Sequence, residues 1–413
     1  MTRKLLILSL LLCTQFVAFT QQRTHLPYSI FGIGEIQPKG SVRNMGMGRT
    51  GVALSSGFYL NNVNPASYHS LDSVSFFFDF GIGADFVKYQ TSSVTQHGND
   101  MNIMNIGLGF RIARNWSSSI GIAPYSNVGY KINTEQNVEG TADDFQAELT
   151  GNGGLTQFYW DNSYVLFKHL SLGVHVTYLF GNIEYSEKLT YDEFDKEIYS
   201  KQTSYLDKVY ADFGVQYFFL IKPKMKITLG GIFGNNHELS FKQKTSIYDS
   251  DGSVLADDIT ENGTFNFPFY YGGGLTVEYD RKLVITADYI FHDWSGTSSG
   301  SSDFSYVDSH TFRVGAEYIP GRMNEYGYFG RWAYRLGYYH EGSNLEIYKT
   351  AIPDNGFSVG FGIPFLQNKT SINLAYNTGI RGTLENGFVK ENYHSLMLSL
   401  TLHDWWFIKR KYD

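Results

Sequence analysis

Apolar and polar residues alternate along most of this chain. Val74, Phe76, Phe78, Phe80, Ile82, Ala84 and Phe86 alternate with Ser73, Ser75, Phe77, Asp79, Gly81, Gly83 and Asp85. Leu170, Leu172, Val174, Val176, Tyr178 and Phe180 alternate with Ser171, Gly173, His175 and Thr177, and Leu396, Leu398, Leu400 and Leu402 repeat the pattern near the end. A period of two predicts strands with one apolar face. It persists from about residue 72 onward and predicts strands over 73–90, 100–114, 116–133, 155–168, 169–190, 203–221, 224–246, 264–280, 282–295, 303–319, 329–343, 354–366, 369–382 and 391–405. The total is fourteen, an even number as in bacterial barrels; the loose boundaries leave a range of twelve to sixteen.

A soluble sandwich alternates too. Three features favour a transmembrane antiparallel β-barrel: long strands, a second face of Gly, Ser, Thr and scattered ionisable groups, and aromatics crowded at strand ends, such as Tyr338-Tyr339 and Trp405-Trp406-Phe407. The inserts near 91–99, 134–154, 191–202, 247–263, 296–302 and 344–353 read as outer loops. The 134–154 stretch could also hold a further hairpin or a helix. Asn115, Lys222-Pro223 and Gln367-Asn368 read as inner turns. Residues 72–413 form one barrel domain with no separate domain after it. Residues 21–71 lack sustained alternation, are rich in Gly, Asn and Ser, and are too polar to span a membrane, so they are expected inside the barrel as a hatch.

Composition agrees. The chain has 31 Tyr, 32 Phe, 6 Trp and 43 Gly, while only 18% of residues are charged, against about 25% in soluble domains. Mean hydropathy is slightly negative, which excludes a bundle of apolar helices. At the N-terminus, Arg3 and Lys4 precede the apolar run Leu5–Phe19, with Ala18 and Thr20 as small residues before a cleavage site: residues 1–20 read as a secretory signal peptide. The only cysteine, Cys13, would leave with it. The net charge of −7 argues against a nucleic-acid partner, which needs clustered Lys and Arg.

Within the expected hatch stand Leu26-Pro27-Tyr28-Ser29-Ile30-Phe31-Gly32-Ile33-Gly34-Glu35, then Arg43-Asn44-Met45-Gly46-Met47-Gly48-Arg49-Thr50-Gly51, then Asn61-Asn62-Val63-Asn64-Pro65-Ala66-Ser67-Tyr68. This resembles the FadL-type outer-membrane transporters of long-chain fatty acids and other hydrophobic compounds. There a Gly-Met-Gly stretch and a later Asn-Pro-Ala lie in an N-terminal hatch before a fourteen-stranded barrel. The resemblance implies passive uptake of a hydrophobic ligand past a hatch, with exit sideways through a gap made by a kink in an early strand. Gly46, Met47, Gly48, Asn64, Pro65 and Ala66 are therefore candidate hatch and gating residues. For the tripeptide, an ordinary turn into the first strand is the alternative. Pro124, which lacks a ladder donor, is the candidate kink; the alternative is that it ends a strand near the membrane surface.

Other groups have structural and functional readings side by side. Asp212, Glu278, Asp288, Arg313, Glu317, Arg335 and His175 fall on the polar face and read first as lumen groups paired with neighbouring strands. Arg313 and Arg335 are also candidate contacts for a ligand's carboxylate, and Phe158 and Trp160 for its apolar part. Gly46-Met47-Gly48-Arg49-Thr50-Gly51 matches a dinucleotide fingerprint but follows no buried strand. No zinc-protease helix motif occurs and no triad of His175, Asp288 and a serine is supported by a motif, so no enzyme, metal or cofactor is expected. The reading is an outer-membrane transport protein of a Gram-negative bacterium, taking hydrophobic small molecules, embedded in lipid as a single barrel with a protein partner left open. The alternative is a FadL-like barrel that serves secretion machinery as an interaction or shuttle component.

Overall fold

The computed structural model describes residues 27–72, 75–137, 144–191, 196–297, 304–321, 327–365 and 370–405. The signal-peptide reading and Cys13 lie outside these residues, as do Gln367-Asn368 and the aromatic pair Trp406-Phe407.

The alternation builds fourteen antiparallel strands: β1 (Ser75–Gln90), β2 (Thr95–Ala113), β3 (Trp116–Asn137), β4 (Asp144–Leu166), β5 (Leu170–Tyr191), β6 (Lys196–Lys222), β7 (Met225–Gly234 and His237–Asp249), β8 (Val254–Phe267 and Phe269–Tyr279), β9 (Leu283–Asp293), β10 (Ser309–Tyr318), β11 (Ala333–Glu341), β12 (Asp354–Phe365), β13 (Thr370–Arg381) and β14 (Lys390–Trp405). Each pairs with its chain neighbour, and β14 closes on β1 from Ser75↔Trp405 to Gln90↔Lys390. Closure removes the open edge that a membrane would leave without hydrogen-bond partners. Tight turns at one end are built on left-handed residues, Phe167-Lys168 and Asp280-Arg281.

Side-chain parity follows the sequence pattern. On β14, Leu396, Leu398, Leu400 and Leu402 are 36–52% exposed on the outer face, whereas Ser399 and Thr401 are buried inside. The outer face is thus apolar at the level a bilayer would occupy, and among the described residues no helix is long and apolar enough to cross a membrane.

The barrel is lopsided. β6 has 27 residues and β11 has 9. At about 3.4 Å per residue, β6 far exceeds an apolar band of about 25 Å. The stretches 134–154, 191–202 and 247–263, expected as loops, are mostly strand: β3 to β8 run on past the band as a tall wall. Their outward residues there, such as Glu184, Lys201 and Asn262, are polar. Polar side chains obscured the strand pattern, because a wall wetted outside no longer needs an apolar outer face. Inside the tall wall, Val128, Tyr130, Leu155, Ile183, Leu206, Leu239 and Phe265 pack with Ile33, Trp294 and Tyr306 into the largest apolar core. A small sheet of 304–306, 345–347 and 350–351 covers it, with Phe31 against Phe304 at 4.8 Å.

Leu374→Arg, placed on the outer face at the level of the band, should cost about 2–4 kcal/mol of stability in lipid vesicles. Asn262→Arg on the tall wall should cost almost nothing. Equilibrium unfolding in urea reads both.

Candidate functional site

The segment before β1 has little regular structure, yet its residues 40–54 are buried almost throughout. Asparagine side chains supply the partners that its backbone lacks. Asn44 Nδ2 donates to Thr50 O at 2.7 Å, Asn61 Nδ2 to the carbonyls of Gly51 and Leu54 at 2.8 Å each, and Asn64 Nδ2 to Val52 O at 2.6 Å. Short-range amide bonds of this kind take over where no ladder exists.

Ion pairs fasten the segment to the β10–β14 wall. Arg43 on the short helix Val42–Met45 meets Glu317 of β10 at 2.7 and 3.0 Å. Arg335, directly across from Glu317 in register, donates to the same carboxylate at 2.7 Å. Tyr59 lies against both guanidiniums, with ring centres 4.9 and 5.4 Å away. A second network surrounds Arg49, which pairs with Glu341 at 2.9 Å and Asp354 at 3.3 Å over the ring of Tyr339. Arg313 joins it through Glu341 at 2.7 Å and the Arg49 carbonyl at 3.1 Å. Arg381 extends it to Glu35 at 2.5 Å. Asp288 accepts from the Gly51 and Val52 N–H groups, and Lys39 pairs with Asp212 at 3.3 Å.

The glycines allow the contact. Gly48 (φ +66°) presses on β10 and β11, where a Cβ would stand 2.5 Å from Val314 O. On the wall side, a Cβ at Gly337 would lie 2.0 Å from Gly48 N, so two backbones touch with no side chain between. Gly46 ends the short helix, and Met47 is wholly buried. Asn64 caps the 3₁₀ turn Pro65–Ser70, its Oδ1 accepting from Ala66 N at 2.9 Å. That turn rests on bare strand at Gly173 and Gly214. At its end His69 stacks on Phe218 at 4.2 Å, and burial draws the pKa of its imidazole down to about 4, so the ring stays neutral.

The wall has one interrupted pairing near the segment. β2 and β3 pair from Ala113↔Trp116 up to Ile106↔Ile122, and above that no β2–β3 pairing occurs among the described residues. β3 pairs instead with the segment: Glu35↔Asn127, Ile36↔Ser126, and Gln37 N to Tyr125 O at 2.8 Å. Pro124 stands just beyond the end of the β2–β3 ladder, where β3 and β4 also slip register between Pro124 and Ser126. A cavity of about 150 Å³ lies behind the unpaired stretch, lined by Ile103 and Met104 of β2 and Ala123 and Pro124 of β3. A second, of about 290 Å³, is lined by Tyr125, Tyr210, Phe267 and Tyr270, with Arg313 and Lys39 among its charged groups. Residues 35–39 line both cavities and form the partition between them.

Among the residues singled out from sequence, the structure brings Gly46-Met47-Gly48, Arg313 and Arg335 together at the ion pairs, and sets Asn64-Pro65-Ala66 on β5 and β6. Arg335 is fully enclosed and engaged with Glu317 and Asn373. Arg313 is engaged too but lines the larger cavity. Phe158 and Trp160 point outward from β4, 43% and 47% exposed, and line neither cavity. Sequence reasoning missed Glu35, Arg43, Arg49, Glu341, Asp354 and Arg381. The first three sit in a segment without periodicity, and the others sit at strand ends where parity is hard to carry. His175, read as a lumen group, pairs with Asp161 at 2.5 Å.

The chain is matched over residues 1–413 by the family model described as BamG. Solved structures share its fold: a Pseudomonas aeruginosa FadL homologue (13% identity, 90% of this chain and 99% of that one, TM-score 0.59), the P. putida toluene transporter TodX (15%, 90% and 100%, 0.58) and the Ralstonia pickettii toluene transporter TbuX (14%, 88% and 98%, 0.57). A search of curated proteins found no match.

Glu317→Ala leaves Arg43 and Arg335 buried without their counter-charge and should cost about 3–5 kcal/mol. Amide hydrogen exchange should then accelerate in residues 42–70 far more than in β5 or β6. Replacing Arg43, Glu317 and Arg335 together by Met should restore most of the protection.

Proposed function

The chain belongs to the BamG family, and we propose that this barrel is an outer-membrane transport protein that passes hydrophobic small molecules, such as long-chain fatty acids, passively into a Gram-negative cell. One observation carries the reading: the aromatic cavity in the lumen shares residues 35–39, with Glu341 and Arg381, as a common lining with a cavity bounded by the unpaired stretches of β2 and β3. A ligand held among Tyr125, Phe267 and Tyr270 has a short way to the wall once that partition moves. The segment before β1 acts as the hatch. Gly46-Met47-Gly48 and Asn64-Pro65-Ala66 are its fixed points, and Pro124 marks the lateral exit. Arg313 is the group on the larger cavity best placed to meet a carboxylate. Phe158 and Trp160 serve the lipid-facing wall rather than the ligand.

The interaction reading, a component of secretion machinery, draws on a different observation. The inner segment fills one end of the lumen and the apolar core under the small sheet fills the other. Fatty acid retained in the lumen of the purified protein favours transport. A stable large partner with an empty lumen favours interaction.

A disulfide between Ile36→Cys and Ser126→Cys, which face each other in register, would fix the partition to β3. Oxidation should lower uptake of a labelled fatty acid about tenfold, the loss corresponding to about 1.4 kcal/mol on the rate, and reduction should restore it. Equal uptake in both states would contradict the proposal.

A further inference from the structure

The short-turn end of the barrel carries a charge that the rest of the chain does not. Four successive turns lie side by side there: β2–β3 (111–116), β4–β5 (166–170), β6–β7 (220–226) and β8–β9 (279–283). They hold Arg111, Arg114, Lys168, Lys222, Lys224, Lys226, Arg281 and Lys282, with Asp280 as the only acidic residue. That is eight cations to one anion in a protein with 33 basic and 40 acidic residues; of the eight, Arg111 and Lys226 turn to the inner segment, donating to Leu71 O and Ser55 Oγ, and the others belong to the rim. Asp280 meets Lys224 at 3.5 Å. Arg114, Lys168, Lys222 and Arg281 are exposed and, among the described residues, have no acidic partner. Neighbouring turns are two strands apart, about 10 Å, so the cations form an arc around the rim rather than a single point.

In three of the four turns the exposed cation has exposed apolar neighbours. Phe167 precedes Lys168 and is 87% exposed, and Leu220 and Ile221 precede Lys222 at 68% and 52%. Ile112 and Trp116 flank Arg114 at 45% and 40%. Exposed apolar residues beside exposed cations match the boundary between acyl chains and headgroups. A water-soluble acidic partner would match the cations and leave Phe167 and Leu220 unexplained.

We propose that this rim binds anionic phospholipid headgroups in the leaflet next to the short turns, each turn supplying one or two cations to a phosphate. The lipid annulus is thereby enriched in negative charge along β2–β9. This holds whatever passes through the lumen.

The test uses the full barrel in nanodiscs of phosphatidylcholine and phosphatidylglycerol, with retained lipids counted by native mass spectrometry. The variant is Arg114→Gln with Lys168→Gln, Lys222→Gln and Arg281→Gln; Lys131→Gln with Lys201→Gln, on the tall wall, is the control. The wild-type protein and the control should retain phosphatidylglycerol about threefold above the disc ratio, and less at high salt. The four-site variant should retain the disc ratio with phosphatidylcholine unchanged. Unheated gel mobility checks its fold, and if it does not fold, Lys168→Gln and Lys222→Gln are read singly. No enrichment in the wild type, or equal enrichment in the variant, would overturn the proposal. So would capture of an acidic protein by the wild type alone with retained lipids equal.

Discussion

A guanidinium enclosed by protein must meet a carboxylate or it will not stay enclosed. Arg43 and Arg49 enter the barrel on a segment that has almost no ladder of its own, and their partners Glu317, Glu341 and Asp354 wait on β10, β11 and β12. Those contacts decide where the segment lies. They press Gly46-Met47-Gly48 against bare backbone at Gly315 and Gly337, and they draw Glu35 toward Arg381 on β13. The asparagines then close the remaining backbone bonds. Remove the charges, and nothing equally directional holds a short irregular segment in the lumen.

The same arrangement shapes the space left over. With the segment held to β10–β14 on one side, its residues 35–37 reach across to β3 and occupy an edge that β2 does not pair with. One chain segment therefore links the charged wall to the interrupted one. It also divides the interior in two. Residues 35–39 are held at one end by the Glu35–Arg381 contact and the β3 pairing and at the other by Lys39–Asp212. The ion pairs and the unpaired stretch are parts of one device: Arg49, Glu341 and Arg381 line the same cavity as Ile103, Met104 and Pro124.

Much of the fold was legible because lipid outside and water inside impose a period of two. The alternation of Leu396, Leu398, Leu400 and Leu402 with serine and threonine could be read without coordinates, and fourteen strands followed. Reading failed where that constraint lapses. Above the membrane band the outer face of β3 to β8 is wet, so Glu184, Lys201 and Asn262 looked like loop residues. The site was legible in kind but not in detail. Arg313, Glu317 and Arg335 stood on the polar face as expected, with the Glu317–Arg335 pair across neighbouring strands. The partners Arg43 and Arg49 could not be deduced, because contacts more than 270 residues apart leave no local signal. Phe158 and Trp160 showed the opposite error: aromatic side chains were taken for ligand contacts, whereas strand parity turns them outward.

In the proposed function a hydrophobic molecule travels from the aromatic cavity to the β2–β3 stretch. Photo-crosslinking in intact outer membranes reads that path most directly, with a sixteen-carbon fatty acid carrying a diazirine near its tail. Labelling should fall on Tyr125 and Tyr270 inside and on Ile103, Met104 and Pro124 at the wall, and should be competed by unlabelled acid. Labelling confined to outward residues such as Phe158 and Trp160, with no competition, would contradict it.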